Sequence, residues 1–323
     1  MRSLRLISTS ARQYASPLDG TGISPFRVFD RRMKQMQKDR AASLDNGERS
    51  RTVDYLRDEV ADRVIERFAD IKKELRDILD LGSGPGHFTK LIESKTYDRK
   101  VTMMDMSEKM LKRDIAMQDF EVSVTQDTGD EESLLEHVPR NSFDAVVSCL
   151  SLHWVNDLPG ALIQIKESLR PDGVFIGAIL GGDTLFELRT SLQLAETERE
   201  GGISPRVSPM TETNDISNLM GRAGFNLLTV DTDEVKIAYP SMWELLEDLR
   251  DMGESNAVIG RRPFLHRDTL LAASSIYKEL HGHEDGSVPA TFQVIYMIGW
   301  KPSPEQPKPL QRGSAKTSLK EVL

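Results

Sequence analysis

The sequence predicts an α/β fold with a doubly wound, mostly parallel sheet, and three observations carry that reading. A short apolar run, Ile78 to Leu81, leads into glycines at every second position, Gly82, Gly84 and Gly86, as a strand does when it delivers the chain into a tight turn and then a helix. Further apolar runs, Val101 to Met104, Glu121 to Thr125 and Gly173 to Leu180, alternate with stretches of helical spacing. Ser142 to Leu150 is nearly continuously apolar, which suits a central parallel strand covered on both faces.

Bulk properties narrow the function. The 323 residues allow about two domains, or one α/β core with insertions. A formal net charge of −9 argues against a general nucleic-acid binder, so no nucleic acid is expected as partner. Cys149 is the single cysteine, which rules out an intramolecular disulfide and a cysteine-based metal site. No apolar run reaches the ~18 residues of a membrane span.

Taken in order, residues 1–14 carry Arg2, Arg5 and Arg12, several hydroxyls and no acid, the composition of a mitochondrial transit peptide cut after Tyr14. Within 15–72 two helices are expected. Phe26 to Ala42 places Phe26, Phe29, Met33 and Met36 on one stripe, with six basic residues covering the rest as a solvated face or one that docks on a partner, an anionic lipid surface or the cofactor-site lid. Tyr55 to Phe68 follows with Leu56, Val60, Val64, Ile65 and Phe68 at helical spacing. The domain proper, 73–301, continues through a helix from Met106 to Met117, another from Leu158 to Leu169 closed by Arg170-Pro171-Asp172-Gly173, a helix from Thr211 to Ala223 and a strand from Asn226 to Ala238. A helical insertion around 241–281, comprising Met242 to Arg250 and Asp268 to Leu280, precedes a last strand from Thr291 to Trp300. The tail, 302–323, opens with four prolines in eight residues and is expected to be disordered.

The glycine turn should hold a ligand with an anionic group against unpaired N–H groups at the start of a helix. A dinucleotide fingerprint fails there, because its third glycine would stand at His87. Asp80-x-Gly82-x-Gly84-x-Gly86 instead resembles the first motif of class I S-adenosylmethionine-dependent methyltransferases. The resemblance implies a Rossmann-like fold and S-adenosylmethionine as cofactor, with Asp80, Gly82, Ser83, Gly84 and Gly86 at its cradle. Asp105, 25 residues beyond Asp80 at the end of the second strand, stands where a carboxylate meets a ribose diol, with Met106 beside it. An acid after the third strand commonly approaches the adenine amino group in that class, which points to Asp127 and the adjoining Thr128.

The later motifs are more specific. Ser151-Leu152-His153-Trp154-Val155-Asn156-Asp157-Leu158-Pro159, Gly181-Gly182-Asp183-Thr184-Leu185, Leu192 to Gly202, Met252-Gly253-Glu254-Ser255-Asn256, Leu265 to Thr269 and Glu284 to Thr291 together resemble the mitochondrial complex I assembly factor 5 family. That group is also similar to the malonyl-carrier methyltransferases of biotin synthesis. The resemblance implies a protein on the matrix side of the inner membrane that binds S-adenosylmethionine, works with other assembly factors and hydroxylates an arginine of a complex I subunit. Methylation, or a noncatalytic assembly role, stands as the alternative.

The residues themselves reach less far into that chemistry. His153 and Trp154 leave the fourth strand at its carboxyl end, where ligands sit in open α/β sheets. Asp183, after the fifth strand, is the first candidate to orient a guanidinium, with Glu196, Glu198 and Glu200 following. His266-Arg267-Asp268 and His283-Glu284-Asp285 do not complete a two-histidine, one-carboxylate iron site, so no metal is expected. Leu150 to Trp154 replaces the Asn-Pro-Pro-aromatic loop of amino-methylating enzymes.

Overall fold

The structure, a computed structural model, describes residues 27–94, 97–114, 117, 120–306 and 312–313. The expected transit peptide and most of the tail lie outside the described residues. In chain order the elements are α1 (Arg31–Ser43), α2 (Glu48–Thr52), α3 (Tyr55–Ala69), β1 (Asp77–Leu81), β2 (Lys100–Asp105), α4 (Glu108–Lys112), β3 (Ser123–Thr128), α5 (Leu134–His137), β4 (Phe143–Cys149), α6 (Leu158–Ser168), β5 (Leu169–Leu180), α7 (Phe186–Glu200), α8 (Thr213–Ala223), β6 (Asn226–Tyr239), α9 (Met242–Asp251), α10 (Arg267–His281) and β7 (Val288–Trp300).

One sheet of order β3-β2-β1-β4-β5-β7-β6 organises them. The first five strands are parallel, and β7 runs antiparallel between β5 and β6. Strand alternation sends Ile78, Val101, Ala145, Val147 and Ile176 into a core shared with α3, α7, α9 and α10. It sends Leu79, Met104, Val146, Phe175 and Ile179 into the opposite core under α6 and α8. Each of these larger side chains, withdrawn completely from water, contributes ~1.5–3 kcal/mol of gross stabilisation. The order of strands reverses between β1 and β4, and the crevice outside their carboxyl ends is where such a sheet binds ligands.

Several elements depart from the sequence reading. α1 inverts its expected faces: Lys34 is 1% exposed and Lys38 7%, whereas Met36 is 55% exposed. The buried stripe is basic because three acids wait beneath it, as the site shows. After Gly86 the chain makes turns and a three-residue 3-10 segment, Thr89–Leu91, in place of the expected helix. α4 covers only Glu108–Lys112, started by Ser107, whose hydroxyl accepts from the Met110 N–H at 3.1 Å. β3 extends through Asp127 and Thr128, so neither follows the strand. β5 begins at Leu169, and the expected loop is taken up within it by Asp172 at φ +61° and a register shift opposite Phe143 and Ala145. α7 had not been read as a helix, yet Leu188, Leu192 and Ala195 recur at helical spacing and bury against α10 and the sheet. The first residues of the tail are ordered: Gln306 is buried, and its amide donates to Asp172 Oδ1 at 2.8 Å.

Candidate functional site

The site begins where β1 ends. Gly82, Gly84 and Gly86 all adopt positive φ, at 70°, 54° and 95°. A Cβ on Gly82 would stand 2.2 Å from Ser151 Oγ and 3.1 Å from Glu131 Oε1, so the turn is closed on that side. On Gly84 it would meet only Met110 Cγ at 3.9 Å, which leaves an open cradle. The N–H groups expected to be free for an anion are engaged: Gly82 and Ser83 donate to the Met104 carbonyl at 2.7 and 3.0 Å, and Gly86 to the Ser83 carbonyl at 3.0 Å. The turn is thus stitched to the end of β2, with these N–H groups engaged inside the fold rather than left open by a helix terminus.

Asp80 is fully buried, and one carboxylate oxygen accepts from Thr89 Oγ1 at 2.6 Å. The other oxygen has no partner among the described residues. Burial, with Asp105 nearby, pushes this carboxyl up to about 7. Asp105 is completely buried; its Oδ1 accepts from Ser107 N–H at 2.8 Å, and its Oδ2 from Gly84 N–H at 3.0 Å and Lys38 Nζ at 2.7 Å. Ser83 and Gly84, with Lys38, Asp80 and Phe88, line a cavity of about 20 Å³. The donor set suits a nucleoside, with a ribose-facing acid, an orphaned carboxylate oxygen and a glycine cradle, but Lys38 occupies the acid. Met106 is buried beside it and its carbonyl accepts from Gln35 at 2.8 Å.

α1 closes this region with its basic side chains. Arg31 bonds Asp130 at 2.7 Å and also Glu131, whose other oxygen accepts from Ser151 at 2.5 Å. Burial opposes ionisation of Glu131, but Arg31 and Lys38 hold it down at about 2. Glu131 is thus the acid after β3 that reaches the glycine turn. Asp127 and Thr128, expected there, are exposed on the edge strand and do not reach the turn.

A second cavity, of about 370 Å³, adjoins the first, and Arg57 and Leu150 line both. Leu150 sits at φ +53°, a left-handed conformation that costs a non-glycine residue ~1–2 kcal/mol and turns the chain at the end of β4 into the cavity wall. His153 and Trp154 follow on a 3-10 turn. Both His153 ring nitrogens are buried without a hydrogen-bond partner among the described residues; Nε2 lies 3.8 Å from Glu254, beyond bonding reach. Burial lowers the His153 pKa, so the ring is neutral at pH 7. Glu254 accepts from Lys34 Nζ at 2.6 Å, Trp154 Nε1 at 2.6 Å and Arg57 at 3.0 Å. Its burial opposes ionisation, yet Lys34 and Arg57 hold its pKa well below the usual carboxylate range.

The structure therefore unites His153 with Trp154 and Glu254, and it separates Asp183 from them. Asp183 is exposed and pairs with the Gln293 amide at 3.1 Å, because the turn into α7 directs Thr184 and Leu185 into the cavity instead. Glu196 is occupied by Arg206 at 2.6 Å and the Ser204 N–H at 2.8 Å, and Glu200 by Arg262 and Thr269. The acid facing the cavity is Glu254, part of the Met252-Gly253-Glu254-Ser255-Asn256 motif and not among the candidate residues above. Among the described residues no group of three or more His, Cys, Asp or Glu is placed to hold a metal ion, and no helix is long and apolar enough to cross a membrane.

Comparison with known proteins agrees with the topology. A methyltransferase-domain family model matches residues 53–230. The mouse (Mus musculus) protein named "Arginine-hydroxylase NDUFAF5, mitochondrial" is 48% identical over 98% of this chain and 90% of its own length. The human (Homo sapiens) protein of the same name is 50% identical over 95% of this chain and 86% of its own length. A malonyl-[acyl-carrier protein] O-methyltransferase of Halorhodospira halophila is 32% identical over 84% and 88%. Among solved structures, a candidate methyltransferase from Bacillus halodurans superposes with a TM-score of 0.51 at 17% identity, covering 75% of this chain and 99% of that one, which shows the fold.

Proposed function

The chain belongs to the mitochondrial arginine-hydroxylase family NDUFAF5, built on a class I methyltransferase domain, and on that premise we propose that it hydroxylates an arginine side chain of a complex I subunit during assembly of that complex. The observation that supports this reading best is the adjoining of two cavities at Arg57 and Leu150: a glycine cradle with Asp80 and Asp105 on one side, and on the other a largely apolar chamber in which the carboxylate of Glu254 stands with the Trp154 ring among Arg57, Arg206, Arg261 and Arg262. The first has the donor set for S-adenosylmethionine, which would supply a cationic sulfonium and its methyl group next to the chamber. Asp105 and Asp80 would face its polar groups, and Glu131 would stand in the place first assigned to Asp127. The roughly 20 Å³ left there is far below the ~300 Å³ of a small ligand site, so Lys38 must withdraw from Asp105 for the cofactor to enter.

In the chamber, Glu254 and the face of Trp154 orient a cation, apolar side chains such as Leu188, Leu246 and Phe292 exclude water, and neutral His153 is able to accept a proton at either ring nitrogen. Partnership with other assembly factors and a position on the matrix side of the inner membrane belong to the same proposal by family resemblance. α1 gives membrane binding little support, since Lys34 and Lys38 point inward.

Methyl transfer is the second reading, favoured by the 32% identical malonyl-carrier O-methyltransferase. Purified protein incubated with methyl-labelled S-adenosylmethionine and complex I subunits separates the two. Binding without conversion to S-adenosylhomocysteine is expected; stoichiometric conversion with label on protein would transfer the assignment to a methyltransferase.

A further inference from the structure

We propose that Trp154, Glu254 and the Gly253 carbonyl form the receptor for the substrate's cationic side chain, and that Lys34 of α1 is an intramolecular occupant which a guanidinium displaces. The inference rests on the arginine reading above and adds the residues that would recognise the arginine.

The geometry around Lys34 is that of a cation receptor. Its Nζ lies 3.8 Å from the centroid of the Trp154 ring, 2.6 Å from Glu254 Oε2 and 2.8 Å from the Gly253 carbonyl. A ring face, a carboxylate and a carbonyl are the three kinds of group that bind a desolvated cation. The ring is held in place from behind by Phe29, edge-on at 5.3 Å, and by its own Nε1–H to Glu254. Trp154 and Glu254 also form part of the wall of the 370 Å³ cavity, where Glu254 is the carboxylate among Arg57, Arg206, Arg261 and Arg262, so a cation entering there is drawn to Glu254.

Lys34 is a poor permanent tenant. Glu254 is already neutralised from its other oxygen by Arg57 at 3.0 Å, so the fold does not require a second cation. Arg57 is itself anchored by the Met252 carbonyl at 2.7 Å and lies 3.7 Å from Asp54. Complete burial, with Lys38 and Arg57 nearby, works against the Lys34 charge while Glu254 favours it. A guanidinium is less strongly hydrated than an ammonium and stacks on an indole, so it should outcompete the lysine for the Trp154 face and Glu254 Oε2. Lys34 and Lys38 are one helical turn apart on the same face of α1, Lys34 on Glu254 and Lys38 in the wall of the glycine cradle. Displacing Lys34 therefore loosens the helix that also holds Lys38 on Asp105.

The test uses the full chain and two neutral-capped probes, N-acetyl-arginine amide and N-acetyl-citrulline amide, titrated calorimetrically. Lys34→Met should bind the arginine probe about tenfold or more tightly than wild type, the factor expected when a receptor is self-occupied nine-tenths of the time. The citrulline probe should bind neither, and Glu254→Gln added to Lys34→Met should abolish the gain. Equal arginine affinity in wild type and Lys34→Met, or equal affinity for the two probes, would overturn the proposal. A second measurement avoids reliance on the variant's folding: acetylation of Lys34 by acetic anhydride in wild type, read by mass spectrometry, should speed up when the arginine probe is present and not with citrulline. An unchanged rate overturns displacement. Arginine binding in this cage without oxygen transfer in cells would refute the hydroxylase reading alone, whereas transfer without such binding would refute the cage alone.

Discussion

Replacing Asp105 by asparagine tests how the lid helix and the cofactor cradle are joined. In the folded protein Asp105 is inaccessible to water and neutralises Lys38, itself only 7% exposed. Removing one member of a buried pair strands the other charge, at a cost of ~3–5 kcal/mol. The asparagine also has one acceptor oxygen where the carboxylate uses two, so either the Gly84 or the Ser107 N–H loses its partner, which adds ~1 kcal/mol or more. Attraction between Glu131 and Lys38 offsets part of this, leaving a net loss of about 4 kcal/mol. Urea unfolding of wild type, Asp105→Asn, Lys38→Met and the double variant at pH 7 gives the coupling directly. The double variant should recover about 2 kcal/mol or more relative to the sum of the single losses. Additive losses would mean that Lys38 does not depend on Asp105, and the picture of a helix latched on Asp105 would be refuted.

Three further outcomes follow from the same geometry. Asp80, raised to about 7 in the fold, binds a proton there that the unfolded chain releases near pH 4, so its contribution to stability is full below pH 4 and is lost as pH rises through 7. Asp80→Asn should flatten that decline and stabilise the ligand-free protein at pH 8 by on the order of 3 kcal/mol, as read by unfolding at a series of pH values. Gly84→Ala meets no close neighbour and should cost only ~1–2 kcal/mol for its left-handed backbone, yet abolish S-adenosylmethionine binding in equilibrium dialysis; Gly82→Ala, driven into Ser151, should cost more and serve as the contrast. Glu196→Gln leaves Arg206 unpaired and should destabilise by ~3 kcal/mol, while calorimetric binding of N-acetyl-arginine amide stays unchanged, because this acid holds the loop after α7 rather than a ligand.

The central strands were legible because burial on both faces writes itself as continuous apolar sequence, as in Ser142 to Leu150, and the β-strand end fixes where Asp80 and Asp105 must stand. His153 was legible for the same reason. The inward basic face of α1 was not. Its stabilising partners lie 67 residues away at Asp105, 100 at Glu131 and 220 at Glu254, and a helix read alone assigns charge to solvent. Asp127 and Asp183 were placed at the correct end of the sheet, but strand length in one case and a turn in the other point them outward. α7 carries its own signal in Leu188, Leu192 and Ala195, whose helical spacing matches their burial. Glu254 offered no local signal at all, since its role arises from Trp154, Arg57 and Lys34 converging on a short loop after α9.

The most direct test of the account is peptide mass spectrometry of complex I subunits from cells lacking this protein, complemented with wild type or with Gly84→Ala. One arginine should carry an added oxygen with wild type and lose it with the variant or without the protein. An added methylene at that position would restore ordinary methyl transfer. Identical peptides in all three cell lines, with complex I assembly failing only where the protein is missing, would contradict the enzymatic account altogether.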